Sequence, residues 1–443
     1  MVQHANYLED NCLFDLAFPL PFDTPRKTCD VSGMKRLCAI FALLLLTIAF
    51  GCSDTEQQIE PEPKLIPVPE ELADTEPTPQ VNQAPGHLER FVELMNLPTA
   101  SRPFGITLSP DGNRAYVAAA SRGQVSVIDT RDLEVRVNWG PFGEHLFRTI
   151  PSQNGDRLFA FGLGGQHLHV IDTDTGRRIE KLFLGRNISD VVPGPDNTLL
   201  VASTSDKKVT IVEPESLEVR GEVTFSHPIG YIAVGSTQNI ACATGGVYAH
   251  FSDGTQTKGG PVSFFDPRQT GEGEAETATV LKVGKHTRKP LFVKNDRFLL
   301  VPDRLEGTVR VFDVGWKTLA HLIDVGEGPE MIIAHPTLPE VYTINTLGRS
   351  VSVISLNSFS LIRQISLPAN PEYAVISPDG KFLYVTLPST AKIRNRIAAI
   401  DLEKRELIDL IPSGKDPCRM VLSLDGKTLF ITNFMGNTVS ILR

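Results

Sequence analysis

Pro103-Phe-Gly-Ile-Thr-Leu-Ser-Pro-Asp-Gly112 is followed by Arg114-Ala-Tyr-Val117 and then by Gln124-Val-Ser-Val-Ile-Asp129. The same succession returns as Pro371-Glu-Tyr-Ala-Val-Ile-Ser-Pro-Asp-Gly380, Phe382-Leu-Tyr-Val385 and Ala398-Ala-Ile-Asp401. It returns again as Pro417-Cys-Arg-Met-Val-Leu-Ser-Leu-Asp-Gly426, Leu429-Phe-Ile-Thr-Asn433 and Thr438-Val-Ser-Ile-Leu442. Each unit is a set of short alternating apolar runs broken by turn residues, which is how strands and hairpins read in sequence. The Asp-Gly corners supply a side chain that favours turns and a residue free to take positive φ. Period-two runs, with no long 3.6-period stretch after residue 87, exclude a helical architecture.

The third-strand endings recur at Asp129, Asp172, Glu213, Asp266, Asp313, Ser355, Asp401 and Arg443, spaced 41 to 53 residues apart. Four strands in forty-odd residues is the period of a propeller blade. The repeat resembles the YVTN β-propeller family, whose tetrad stands here as Leu-Tyr-Val-Thr at 383–386 and, varied, as Phe-Ile-Thr-Asn at 430–433. The resemblance covers roughly 80% of the chain, and it implies a fold more than a function, because the matching residues are turn and core residues. Seven complete units run from Pro103 to about Asp416, and an eighth shows three strands up to Arg443. Glu89-Arg-Phe-Val-Glu-Leu-Met-Asn96 reads like the fourth strand of the other units, so it is expected to complete the eighth blade and cover its edge. The expected fold is therefore all-β, an eight-bladed propeller of four-stranded antiparallel blades over 87–443. A seven-bladed ring would require the unit at 187–226 or at 227–284 to be an insertion.

The residues before the propeller carry an address. Leu37 to Phe50 is an apolar run of fourteen residues preceded by Lys35 and Arg36, too short for a comfortable membrane span and suited to a signal-peptide core. Its end, Ala49-Phe50-Gly51-Cys52, resembles a bacterial lipobox, which implies that Cys52 is lipidated. Residues 34–51 are read as the signal peptide, with Met34 as the natural start and 1–33 as a non-native extension. Residues 53–86 set eight Asp/Glu against Lys64 and are punctuated by seven prolines. Such a segment buries too little apolar surface to offset its ordering entropy. At roughly 3 Å per residue it is a tether reaching at most about 100 Å. The tether holds −7 of the chain's −9, so the propeller is close to neutral. That composition, together with export, argues against a nucleic-acid partner. The expected location is the cell envelope, lipid-anchored in the outer membrane and facing the periplasm or the cell surface, and the expected state is monomeric.

Candidate binding residues follow from where propeller loops gather. Aligning the units places Arg102, His145, His227 and Lys289 just before the innermost strands, and Arg148, Glu330, Glu372 and Arg419 a few positions on. These residues are expected at the mouth of the central channel, basic on one arc and acidic on the other, where they would meet a small polar ligand or a partner's loop. Two swollen loops, Gly245–Gly260 and Pro388–Arg396, bring Tyr248, His250 and Phe251, and Lys392, Arg394 and Arg396, as partner contacts. A third swelling spans Arg268–Glu276.

Enzymatic signatures are thin. No Gly-x-Ser-x-Gly, P-loop or His-Glu-x-x-His is present, and no Cys-x-x-Cys-His offers covalent haem attachment. No catalytic residue, metal ligand or cofactor is therefore assigned, and the expected role is a non-catalytic binding or scaffold module. The competing expectation is a periplasmic redox or cofactor-handling propeller, with copper or haem held by His145, His227 and His286 at the mouth. His167-x-His169 alternates onto one sheet face, but the sequence fixes no third ligand for it. Cys242 and Cys418 fall on opposite sides of an eightfold ring, beyond the roughly 7 Å that a disulfide tolerates. Arg419 beside Cys418 would favour a thiolate, against the plainer reading of a buried thiol.

Overall fold

In the computed structural model, residues 94–237, 239–245, 260–268, 271–274, 281–388 and 394–443 are described. They form eight sheets in a β-propeller, with no α-helix among the described residues. Blade one is Pro103–Leu108, Arg114–Ala119, Gln124–Asp129 and Glu134–Trp139, each strand antiparallel to the last. The other blades repeat this order from the centre outward, with blade five beginning at Leu291–Val293 and blade six at Pro329–Ala334. Blade eight is Pro417–Leu422, Leu429–Asn433 and Thr438–Leu442, completed by Leu94–Pro98 from the N-terminal side. The expected eight blades and the N-terminal closing strand are both present. Residues 1–93, with the signal, Cys52 and the tether, lie outside the described residues.

The second strands are buried on both faces because each blade is packed between two others, so they read as continuous apolar runs. Tyr116, Tyr342 and Tyr384 are among the largest fully buried side chains, each stabilising by roughly 1.5–3 kcal/mol. One cluster joins Tyr342 and Val353 of blade six to Leu383 and Val385 of blade seven. Another closes the ring, with Ala115 and Val117 packed against Phe430, Val439 and Ile441. The outermost strands face water on most positions, as in Thr318–Asp324 and Ser360–Ser366.

The repeated Ser-x-Asp-Gly corners are self-satisfied turns. Ser109 Oγ donates to Asp111 at 2.5 Å, Ser377 to Asp379 at 2.6 Å and Ser423 to Asp425 at 2.6 Å. The following glycines, Gly112, Gly380 and Gly426, take φ of +72°, +72° and +69°, a region that a Cβ disfavours. Blade three departs from the pattern. Gly271–Glu274, inside the stretch expected as a loop, pairs in parallel with its outer strand Val219–Thr224 and makes a fifth strand.

Antiparallel order fixes two faces. The starts of the innermost strands and the turns between second and third strands share one face, called here the loop face. Pro98 pairs with Thr438 at that face, whereas Leu94 pairs with Leu442 at the other. The chain therefore enters the propeller from the face opposite the channel mouth.

Candidate functional site at the channel mouth

The innermost strands begin in a constrained way. Arg102, Asn187, Gly328 and Asp416, each just before such a strand, have φ of 59°, 64°, 68° and 65°. Left-handed backbone favours Gly, Asn and Asp, so geometry accounts for three of these four residues and Arg102 is the exception. Immediately afterwards the strands slip register, between Ile188 and Asp190, between Pro329 and Met331, and between Pro417 and Met420. Bulges of this kind re-aim side chains, and Glu330 and Arg419 are bulge residues.

The charges at the mouth are paired across blades rather than divided into two arcs. Arg148 of blade two donates to Asp190 Oδ1 of blade three at 2.6 Å, and Lys289 of blade five lies 3.4 Å from Asp190 Oδ2. The Ile232 N–H of blade four donates to the same Oδ2 at 3.1 Å. Asp190 is 0% exposed. Burial opposes its charge, yet Lys289, Arg148 and the Ile232 N–H together hold the carboxyl below its usual range. Glu330 is shared by Arg288 and by Arg304, the latter at 3.1 Å. Arg419 donates to Glu372 at 2.9 Å and lies over the rings of Phe104 and Tyr373 at 4.6 and 4.9 Å. Burial pushes the Glu372 carboxyl up to about 7, with Arg419 pulling it down and Asp416 adding to the rise.

Asp190, Arg288 and Arg304 were not among the residues expected from sequence. Asp190 occupies the same aligned position as Arg148 and Arg419, three residues past the start of its unit, so the register itself carried the signal. Arg304 follows a second strand and reaches the mouth only through the blade turn, for which the alignment of first strands gives no cue.

The remaining candidates stay with local partners. The Arg102 N–H donates to Asn437 Oδ1 at 2.9 Å, and its guanidinium lies over Phe434 at 5.8 Å. His145 Nδ1 lies 2.5 Å from the Ala120 carbonyl oxygen. His227 Nε2 lies 2.7 Å from Ser263 Oγ, and burial draws this imidazole below its ordinary value. Arg396 donates to the carbonyls of Arg394 and Asn395. Tyr248, His250, Phe251 and Lys392 lie outside the described residues.

His167 and His169 do share a face, and both approach one carboxylate. His167 Nδ1 is 2.6 Å from Glu144 Oε1, and His169 Nε2 is 3.5 Å from Glu144 Oε2. Lys181 Nζ stands 3.0 Å from the same carboxylate, placing an ammonium where a bound cation would have to lie. Burial draws His169 below its ordinary value, against the pull of Glu144. Among the described residues, no three His, Cys, Asp or Glu side chains gather so as to hold a metal.

Cys242 and Cys418, the cysteines among the described residues, are free and buried. A thiolate at Cys418 is not what the structure gives. The residue is 3% exposed, and burial pushes its thiol up to about 12 despite Arg419. Its Sγ lies 3.3 Å from Thr432 Oγ1, as a core residue would.

Among the described residues no helix is long and apolar enough to cross a membrane. No curated protein sequence matches the chain. Among solved structures, hydrazine synthase of Kuenenia stuttgartiensis superposes with a TM-score of 0.52 at 18% identity, covering 78% of this chain and 97% of that one. At that identity the likeness speaks to the fold alone. The sequence model of the choice-of-anchor I domain matches residues 192–426, from the third blade into the eighth. That span is more than half of the chain, and the protein belongs to the choice-of-anchor I domain family.

Proposed function

We propose that the protein is a cell-envelope lipoprotein whose propeller is a non-catalytic binding or scaffold module, meeting a protein partner or small ligand at its loop face. Membership of a choice-of-anchor family fits a surface or binding module of the envelope. The observation that carries the reading is the direction in which the chain enters the propeller. Leu94 lies at the face opposite the mouth, so the chain joins the propeller away from the loop face and leaves that face clear for a partner. On that face Leu163, Leu305, Leu347 and Met435 are exposed on turns between second and third strands.

The test places a photo-crosslinking residue at Leu347 on the loop face, or at Leu338 on the opposite face, in the full chain on intact cells. The reading expects one discrete product from Leu347 and none from Leu338. A product from Leu338 alone, or equal labelling of many species from both positions, contradicts it.

A further inference from the structure

The charges that line the channel mouth are matched to one another, Asp190 with Arg148 and Lys289, Glu330 with Arg288, and Glu372 with Arg419. Other charges of the same face are not. Among the described residues, the segments leading into the innermost strands and the turns between second and third strands hold eleven Lys and Arg against six Asp and Glu. On the opposite face, the turns between first and second and between third and fourth strands hold ten against thirteen. A domain that is close to neutral as a whole is thus basic on its loop face and acidic on the other.

Six of the loop-face cations, Arg102, Arg122, Lys207, Arg349, Arg394 and Lys415, are exposed and make no ion pair with a described carboxylate. They come from blades one, three, six, seven and eight. In the same segments Glu327 is the one exposed carboxylate without a cation among the described residues, and Asp324, at the strand end before it, is also exposed and unpaired. Glu327 sits beside the Leu347 turn, its carbonyl accepting the N–H groups of Leu347 and Gly348 at 3.2 and 2.8 Å. Exposed charges of one sign steer and select a partner of the other. Four of the six cations are Arg, whose planar fork matches a carboxylate with two hydrogen bonds and which protein interfaces favour over Lys. Glu327 and Asp324 interrupt the cations at the entry to blade six. A uniformly anionic surface would be repelled there, whereas a folded partner can set a neutral or basic side chain against them. We propose that the loop face docks the acidic surface of a protein partner, whose carboxylates meet Arg102, Arg122, Arg349 and Lys415. The proposal rests on the reading of the loop face as the binding face and names the chemistry of what it binds.

The test titrates the full chain with fluorescent poly-L-glutamate, starting at low ionic strength. Saturable binding is expected, weakening as sodium chloride is raised. Arg102→Gln, Arg122→Gln, Arg349→Gln and Lys415→Gln together should weaken it roughly tenfold or more. Lys317→Gln, Lys381→Gln, Lys404→Gln and Lys427→Gln on the opposite face change the net charge equally and should leave it within about twofold. Glu327→Gln should tighten it about two- to threefold, which a merely structural role would not do. No saturable binding, equal losses in the two quadruple variants, or no tightening in Glu327→Gln would each overturn the proposal. Capture of the chain by phosphatidylglycerol vesicles at a salt concentration that releases poly-L-glutamate would assign the face to a lipid surface instead, and the same result with duplex DNA to a nucleic acid. On intact cells the Leu347 crosslink should vanish in the loop-face quadruple variant. Its persistence there means that the partner is not acidic and the binding face stands, whereas a wild-type chain that binds poly-L-glutamate through these cations but gives no Leu347 product sinks the binding-face reading alone.

Discussion

The two ends of the innermost strands hold polar groups of opposite character. At the Ser-x-Asp-Gly corners the same contact is made again and again, each serine to its own aspartate two residues on. At the mouth a backbone contact repeats, as in Ala120 N–H to Arg102 O and Phe434 N–H to Asp416 O, but the side-chain ion pairs do not. Asp190 gathers blades two, four and five, Glu330 gathers blade five, and Glu372 meets blade eight. The contact repeated in blades one, seven and eight is a device of the turn itself. A polar contact made once, by departure from the repeat at a fixed register, is where the chain differs from a generic propeller.

The contrast can be broken at several points, the strongest being Asp190. Asp190→Ala leaves Arg148 and Lys289 without their shared carboxylate and the Ile232 N–H without an acceptor. Removing one partner of a buried pair is costly, and the partial exposure of both cations moderates the loss, to roughly 3 kcal/mol in urea unfolding. A loss below about 1 kcal/mol would mean that the mouth network is incidental to stability.

Glu372 sharpens the comparison through pH. Its carboxyl, raised to about 7 by burial with Arg419, Asp416 and Cys418 around it, holds a proton more tightly folded than unfolded. The stabilisation is therefore complete below the ordinary carboxylate range and is lost as pH rises through about 7. Between those limits stability should fall by up to about 3 kcal/mol on this account, and Glu372→Gln should flatten the slope. A wild-type profile already flat from pH 5 to 8 would contradict it.

The corners should show a smaller effect of opposite sign. Ser423 holds the Asp425 carboxyl below its usual range, as Ser109 does for Asp111. Their contribution is present at neutral pH and is lost as pH falls through the depressed value. Asp425→Ala should cost about 1 kcal/mol, read by thermal unfolding near pH 7, and the deficit should shrink under acid conditions. A pH-independent deficit would place the cost elsewhere.

Most of the fold was legible because it repeats. The Asp-Gly corners, the period and the orphan fourth strand near residue 89 together determined eight blades and the closing strand at Leu94–Pro98. What stayed hidden was not periodic. The parallel fifth strand Gly271–Glu274 is a Gly-Glu alternation without apolar residues, held by its pairing with blade three, so no local pattern announces it. Arg148, Lys289, Glu330, Glu372 and Arg419 were legible as mouth residues, but their partners were not, since ion pairs across blades depend on how far long side chains reach in three dimensions. Asp190 shows the limit from the other side. Its register matched Arg148 and Arg419, and only the sign of its charge set it apart.

The most direct measurement compares the two ends. Photo-crosslinking from Leu347 on intact cells is read in the full chain as wild type, as Asp425→Ala and as Arg148→Met with Arg419→Met. If the corners are structural and the mouth belongs to the binding face, Asp425→Ala loses about 1 kcal/mol of stability and labels as wild type does, while the double variant loses the Leu347 product. Equal losses of that product in the corner and mouth variants, or none in either, would contradict that division.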